Sequence, residues 1–197
     1  KGGIVLTAFG GLASLWLLFE YMGWETHPAI LWAVIPVGGL TAGYTAFLFH
    51  QAKGRDFWQS RGLLVHLLLE AVVCGAAGLI LLDVVGFYNE PGLILEVILG
   101  ISALLQWLVI RYELDSKHEN VDFRNAAKEI LSGRFSRSFL WHVSGCGTLL
   151  PLVLLGTVFF VKGAPGWLPI IASVLVLCGT LEYGRIWIRA GQSGKLS

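Results

Sequence analysis

The chain has 197 residues; 55% of them are apolar, only 14% are charged, and the mean hydropathy is +0.71. Soluble domains carry about 25% charged residues, so this composition excludes an ordinary soluble domain and indicates a protein of the lipid bilayer. The formal net charge of +1 gives no indication of a nucleic-acid partner, and we predict none.

Six stretches of the sequence are long and apolar enough to cross a hydrocarbon core, which needs about 20 helical residues. Turn or charge signals bound each of them, and a long polar loop at 113–137 separates the fourth from the fifth. The predicted spans are 3–22, 28–51, 62–87, 91–112, 138–162 and 165–189. We therefore predict an all-α polytopic transmembrane helix bundle with no β-sheet, forming a single domain over residues 1–197.

Five carboxyl-bearing residues lie inside these spans or at their ends. A charged side chain costs roughly 2.5–3.5 kcal/mol at a helix centre on insertion scales. Three of the five lie near span ends, whereas Glu70 and Glu182 lie deeper and have no short route to water. We expect these two to serve a proton, an ion or a cofactor, or else to form a neutralised buried pair. The five residues are Glu20, Glu70, Asp83, Glu96 and Glu182.

Small residues and one proline predict how the spans meet. Small-xxx-small spacing favours close helix approach in lipid, and it occurs at Gly39–Gly43, Ala71–Gly75 and Cys74–Gly78. In the fifth span, Pro151 removes an amide donor and clashes with the carbonyl of Gly147. We therefore predict that residues 145–148 are bent or locally unwound.

The polar loop at 113–137 contains a short amphipathic pattern that predicts an interfacial helix ending at Gly133. Two interpretations stay open: a solvated connector, or a docking surface for a soluble partner. The apolar side of the helix would comprise Val121, Phe123, Ala126, Ala127, Ile130 and Leu131.

The basic residues predict the orientation. Six spans place both chain ends and the loops 52–61 and 113–137 on one side, which we call the basic face. Thirteen of the fourteen lysine and arginine residues lie there, the exception being Lys162. By the positive-inside rule the basic face is cytoplasmic. We predict a multi-pass protein of the inner (cytoplasmic) membrane with both ends of the chain in the cytoplasm.

Seven polar side chains share one depth band near the basic face. At 1.5 Å per residue, His66 lies about 6 Å and Glu70 about 12 Å from the basic end of the third span. Glu182 and Arg185 are three residues apart at a similar depth in the sixth span, where the arginine would compensate the carboxylate. Because four helices contribute, we expect one polar cavity. The remaining members are Tyr44, His50 and His142.

Three chemistries could use such a cavity. A b-type haem needs two facing axial histidines, but the candidates His50, His66 and His142 lie shallow. An ion- or proton-coupled transporter could use the deep carboxyls, although no inverted repeat is detectable. A quinone site needs histidine or tyrosine donors, an acid and apolar walls. The three cysteines show no CxxC spacing, so we predict no iron–sulfur cluster on this chain. Because the histidines lie shallow, we also predict no haem, and we predict no metal site.

Three segments carry a resemblance to a known family. GYTAFLF at 43–49, followed by KGRDFW at 53–58, resembles the "Y-T-G/A … F-W" segment of the NrfD/PsrC family of polysulfide reductase-type membrane subunits. LEYGRIWIRAGQ at 181–192 is similar to the family's last helix, and GTLLP at 147–151 fits its "G-x-x-x-P" helix. The resemblance implies that these six spans match the later ones of the usual eight or more.

The resemblance also implies a function. Such a subunit binds quinone or quinol (menaquinone or ubiquinone) and exchanges electrons with an iron–sulfur partner, often one that serves a catalytic subunit of the molybdopterin type. It is not catalytic alone. The quinone-binding candidates are Tyr44, His50, His66 and Glu70, and the proton-transfer candidates are Glu70, Glu182 and Arg185. A second site on the opposite face would use Glu20, His27, Asp83 and Glu96, with Trp24 nearby.

Overall fold

The computed structural model describes residues 2–25, 27–51, 56–60, 62–83, 93–116 and 121–192. These residues contain six helices that are long and apolar enough to cross a membrane, and no strand occurs among them. The predicted all-α architecture with six spans is confirmed. The predicted end of the third span at 87 lies outside the described residues. The spans are Gly2–Tyr21, Pro28–His50, Leu63–Asp83, Leu93–Asp115, Ser136–Phe160 and Leu168–Gln192.

Two reversals of the chain depend on glycine. Gly23 follows the first span with φ of 67°, and Gly163 lies between the fifth and sixth spans with φ of 81°. Only glycine adopts this left-handed region without a steric cost. The second span begins at Pro28, and the Nδ1 atom of His27 accepts the amide hydrogen of Ala29 at 3.2 Å. Proline suits the first position of a helix because its missing N–H would have no partner there.

The chain divides into two compact units, residues 1–51 and 52–197. The first unit is a helical hairpin of the first two spans. The Tyr44 ring packs directly on the backbone of Gly2, where any Cβ would overlap it. A Cβ at Gly38 would lie 3.2 Å from the Phe9 ring. Close packing in the hairpin therefore relies on glycine opposite aromatic rings. That all six spans form one domain stays a prediction.

The second unit packs the other four spans around an apolar core. The third span contributes Val73, Ala76, Ala77 and Ile80 to this core, and the other three spans supply Leu99, Ala103, Leu155, Ala172 and Val176. The fifth and sixth spans cross at glycine, because a Cβ at Gly147 would lie 2.6 Å from the Cα of Gly179. The small-residue spacing did not predict this crossing. A Cβ at Gly39, Gly75 or Gly78 would meet no atom within 4 Å, so these three glycines are not points of close helix approach.

The fifth span departs from α-helical geometry, as Pro151 predicts, but in a different form. Residues Phe139–Leu149 are π-helical and continue into an α-helix at Leu150–Phe160. The amide of Leu150 donates to the carbonyl of Gly145, and the Thr148 hydroxyl donates to the carbonyl of Val143 at 3.0 Å. The backbone is thus widened rather than unwound. This arrangement keeps backbone groups paired, which lipid requires.

The loop between the fourth and fifth spans contains the predicted amphipathic helix, at Val121–Leu131. It buries Phe123, Ala126, Ala127 and Ile130, whereas Val121 is exposed. This apolar side packs on the protein itself, at the end of the sixth span and the 3₁₀ turn Asp56–Gln59. The apolar side of this helix is therefore covered by protein rather than by solvent, and its role as a connector stays a prediction. A role in docking a partner stays a prediction.

Candidate functional site

A histidine and a glutamate meet on the third span. His66 is buried, and its Nε2 atom lies 3.6 Å from the Glu70 Oε2 atom, one helical turn away. This distance exceeds the usual hydrogen-bond range, so the two groups are close neighbours rather than a hydrogen-bonded pair. The Nδ1 atom of His66 is also buried and has no hydrogen-bond partner among the described residues. About a third of the Glu70 side chain, 31%, is exposed.

The sixth span adds a tyrosine to this pair. The Tyr183 ring packs edge-on against the His66 imidazole, with ring centroids 5.2 Å apart, and also lies beside Phe139. Tyr183 is almost completely buried. It interacts electrostatically with Glu70 and with Glu113 of the fourth span. The structure therefore gathers two carboxyls, one imidazole and one phenol from three spans.

Glu113 is a member of this group that the sequence analysis missed. The predicted fourth span stopped at 112, but the helix continues to Asp115, which places Glu113 inside its last turns. Its carboxylate packs on Gly62, where a Cβ would lie 3.2 Å from Oε1. A usable signal was the spacing of Gln106, Ile110 and Glu113, which puts all three on one helix face.

A very small cavity lies beside Tyr183, between the fourth, fifth and sixth spans. Its volume is about 20 Å³, which is enough for about one water molecule. At the edge of this cavity, the indole N–H of Trp107 donates a hydrogen bond to the Ser144 hydroxyl, 3.0 Å away. Small-molecule sites usually enclose about 300–1,000 Å³, so this cavity is too small for an aromatic ligand. Its polar lining consists of Gln106, Trp107, Thr148, Thr180 and Tyr183.

A larger groove runs between the fourth and fifth spans at the end away from the basic face. Its volume is about 250 Å³, and its walls are apolar side chains such as Val97, Leu152 and Phe159. Glu96 is the charged residue that lines it. The groove therefore combines one carboxyl with walls that suit a hydrocarbon chain.

Glu182 and Arg185 form the ion pair that their spacing predicts. The Nε atom of Arg185 donates to Glu182 Oε2 at 2.7 Å, and a second donor from the guanidinium completes the fork. The arginine side chain is 46% exposed, whereas Tyr183 on the same helix points inward. The pair thus lies on the outward side of the sixth span, where Ser138 and His142 also interact with the glutamate.

A scan against protein-family models matches residues 4–193 to polysulphide reductase, NrfD. The chain belongs to the NrfD family. It is therefore an integral membrane subunit of an oxidoreductase complex, and NrfD proteins generally assemble with other oxidoreductase subunits. A search of curated proteins and a search of solved structures each found no match.

The remaining quinone candidates of this NrfD chain lie in its first unit. Tyr44 is partly buried against Gly2, and His50 is exposed with its Nδ1 atom 2.9 Å from the carbonyl oxygen of Ala46. A single cavity that joins these two residues to His66 stays a prediction.

The candidates for the opposite face belong to both units, Glu20 and His27 to the first and Asp83 and Glu96 to the second. Glu20 is hydrogen-bonded by the indole of Trp16 at 3.3 Å, and His27 caps the second span. Asp83 ends the third span, and Glu96 lines the groove. In the part of the NrfD chain that the structure describes, no three His, Cys, Asp or Glu side chains lie close enough to hold a metal ion.

Proposed function

We propose that this NrfD chain binds quinone or quinol beside His66 and Glu70 and exchanges electrons with an iron–sulfur partner subunit. The observation that supports this most is the buried Nδ1 atom of His66, which no described residue hydrogen-bonds. A buried polar atom without a partner is costly, by about 1–3 kcal/mol, so such an atom is often reserved for a ligand. An imidazole N–H is a suitable donor for a quinone carbonyl oxygen.

The residues around His66 supply what quinone chemistry requires of a protein. Bound quinone takes up two electrons and two protons as it becomes quinol. His66 would orient the headgroup, and Glu70 would exchange a proton with water because its side chain is partly exposed. Tyr183 holds the imidazole in place through edge-on packing. The water-sized cavity cannot admit the ring, so the headgroup would approach from the exposed side of Glu70, and the side chains that cover the Nδ1 atom of His66 would have to move aside.

The further assignments follow from family membership and charge. The quinone would be menaquinone or ubiquinone, and the partners would be an iron–sulfur subunit and a catalytic subunit of the molybdopterin type. The subunit would lie in the inner membrane with its basic face in the cytoplasm, because thirteen of the fourteen lysine and arginine residues lie on that face. Glu182 would take part in proton exchange from the outward side of the sixth span.

The groove at Glu96 supports a second candidate site for the same function. Its volume of about 250 Å³ lies close to the lower limit of small-molecule sites. Apolar walls from two spans would accept an isoprenoid tail, and Glu96 would supply the acid. This candidate corresponds to the opposite-face site that the sequence leaves open.

The two alternative functions receive less support. A b-type cytochrome would need two inward-facing histidines, but His50 and His142 are exposed and only His66 is buried among the three. An ion-coupled transporter would use Glu70 with Glu182, yet Glu182 is neutralised by Arg185. Neither arrangement resembles the ligand set that those functions require.

The test is photoaffinity labelling of the purified complex with an azido-quinone, followed by peptide mapping. Adducts on peptides around His66 or Tyr183 that excess quinone abolishes would support the proposed site. Adducts on peptides of the groove around Glu96 would move the site to the opposite face. Labelling that excess quinone does not reduce would refute quinone binding by this subunit.

A further inference from the structure

An open cleft of about 600 Å³ lies at the basic face, apart from the site described above. The end of the amphipathic helix and the start of the fifth span form one side of it, and the last turn of the sixth span forms the other. The cleft is lined by Glu129, Arg134, Phe135, Arg189 and Gln192. Its volume falls within the range of small-molecule sites.

Two arginines face this cleft, and the carboxylate that also lines it, Glu129, forms no ion pair with either of them. Among the described residues, neither Arg134 nor Arg189 forms an ion pair. Two other arginines at span ends behave differently, because Arg111 pairs with Asp115 at 2.8 Å and Arg185 pairs with Glu182. The cleft therefore offers two guanidinium groups whose charge is available to an anion.

Local contacts hold one side of the cleft in shape. The Arg134 guanidinium lies 5.5 Å from the centroid of the buried Phe135 ring, within the range of a cation–π contact. The amide of Arg134 donates to the Glu129 carboxylate at 3.2 Å, which turns that carboxylate toward the backbone. Gly133 allows this reversal, because a Cβ there would lie 2.8 Å from the Cα of Glu129. The arrangement is thus preorganised by the fold.

The position of the cleft along the bilayer identifies the chemistry of its ligand. The sixth span has 25 residues and is about 37 Å long, longer than the hydrocarbon core of about 30 Å. Its last turn, with Arg189 and Gln192, therefore extends into the headgroup layer. Arg134 lies two residues before the fifth span begins at Ser136, so it reaches the same layer.

We propose that this cleft binds the phosphodiester of an anionic glycerophospholipid from the leaflet at the basic face. The planar guanidinium of arginine can donate two parallel hydrogen bonds to phosphate oxygens. Basic pockets between membrane spans are suited to lipid headgroups. Arg134 and Arg189 hold the phosphate, while Gln192 and Glu129 hydrogen-bond the headgroup hydroxyls. The lining carries one net positive charge, which matches a phosphodiester better than a multiply charged acidic peptide.

The experiment compares variants of the full chain, purified in its complex and delipidated in a neutral detergent. Native mass spectrometry measures retention of added phosphatidylglycerol, with phosphatidylcholine and inorganic phosphate as the other two probes. We expect R134Q and R189Q each to weaken phosphatidylglycerol binding about fivefold, since one basic residue near an anionic leaflet contributes roughly that factor. R124Q is the matched control, because Arg124 is an exposed arginine of the same loop that does not line the cleft.

The outcomes separate the possible occupants. Selective loss in R134Q and R189Q, with R124Q unchanged, supports the lipid site. An equal loss in R124Q would show general surface attraction and overturn it. Inorganic phosphate that competes as well as the lipid would make the cleft a free-phosphate site. Unchanged lipid binding with loss of partner subunits would make it a docking surface. Unfolding midpoints in phosphatidylcholine confirm that each variant is folded.

Discussion

Replacing Gly147 with alanine tests the packing that surrounds the candidate site. The new Cβ would lie 2.6 Å from the Cα of Gly179 and 2.8 Å from the carbonyl oxygen of His142. Carbon atoms pack best at about 3.5–4.0 Å, so the two spans must separate by about 1 Å. Both neighbouring atoms belong to backbone, and no side chain can rotate away from the clash.

The magnitude follows from two opposing terms. Overpacking costs about 1–3 kcal/mol, and a clash between two backbones belongs at the upper end of that range. Alanine is favoured over glycine in a helix by about 1 kcal/mol, which offsets part of the cost. We therefore expect Gly147→Ala to lower the free energy of unfolding by about 2 kcal/mol. Gly179→Ala should act similarly, because its Cβ would meet the backbone of Gly147.

Gly75→Ala is the matched control, since a Cβ at Gly75 meets no atom within 4 Å. It should leave stability unchanged or raise it by up to about 1 kcal/mol. The stability of both variants is measured by unfolding in mixed micelles with an increasing fraction of dodecyl sulfate. The fluorescence of the eight tryptophans follows the unfolding. If Gly147→Ala and Gly75→Ala unfold at the same dodecyl sulfate fraction, the close contact between Gly147 and Gly179 does not contribute to stability as expected.

Three further predictions concern the polar groups. Glu70→Gln keeps the shape of the side chain, so the complex should still assemble. Its quinol turnover should fall about a hundredfold and lose its dependence on pH. Turnover equal to that of the parent complex would exclude Glu70 as the proton acceptor. His66→Leu should weaken quinone-site inhibitor binding without affecting partner association, and unchanged inhibitor affinity would place the headgroup elsewhere. Neutralising Glu182 or Arg185 alone should reduce the folding yield more than replacing both, because each single change leaves a charge in the membrane without its partner. Additive effects of the two changes on the yield would show that the pair is not coupled.

Much of the architecture follows from the sequence because lipid allows few alternatives. An apolar stretch of about 20 residues must be helical in a bilayer, since every backbone group needs an internal partner. The same regularity predicts that His66 and Glu70 meet, because residues four apart share a helix face. The Glu182–Arg185 pair follows from the spacing of three in the same way. Contacts within one helix are thus predictable.

Contacts between helices were predicted less well. The spacing shows that Gly75 and Gly78 each lie four residues after another small residue. It does not show whether that side of the third span meets another span or lipid. The crossing occurs instead at Gly147 and Gly179, which are 32 positions apart in the chain. Tyr183 was missed for the same reason, because its contact with the third span depends on how the sixth span is rotated. A short local pattern carries no information on that rotation.

The π-helix shows how a correct signal can give an incomplete prediction. Pro151 lacks an amide hydrogen, so the backbone before it must change its pairing. The sequence indicates where the change occurs but not which pairing replaces it. The structure uses bonds from residue i to residue i+5 over Phe139–Leu149, and this π-helical stretch supplies Thr148 to the cavity and Gly147 to the crossing.

The packing also joins the candidate site to the basic face. Tyr183, which contacts His66, lies one helical turn before Trp187 on the sixth span. The Trp187 ring packs on Phe57 with centroids 5.7 Å apart, and Phe57 packs on Phe123 of the amphipathic helix at 5.0 Å. Aromatic side chains on neighbouring turns of the sixth span therefore connect the buried imidazole to the helix at the basic face. Because Tyr183 and Trp187 belong to one helix, a partner that bound the outer side of the amphipathic helix would rest on the same span that holds Tyr183 against His66.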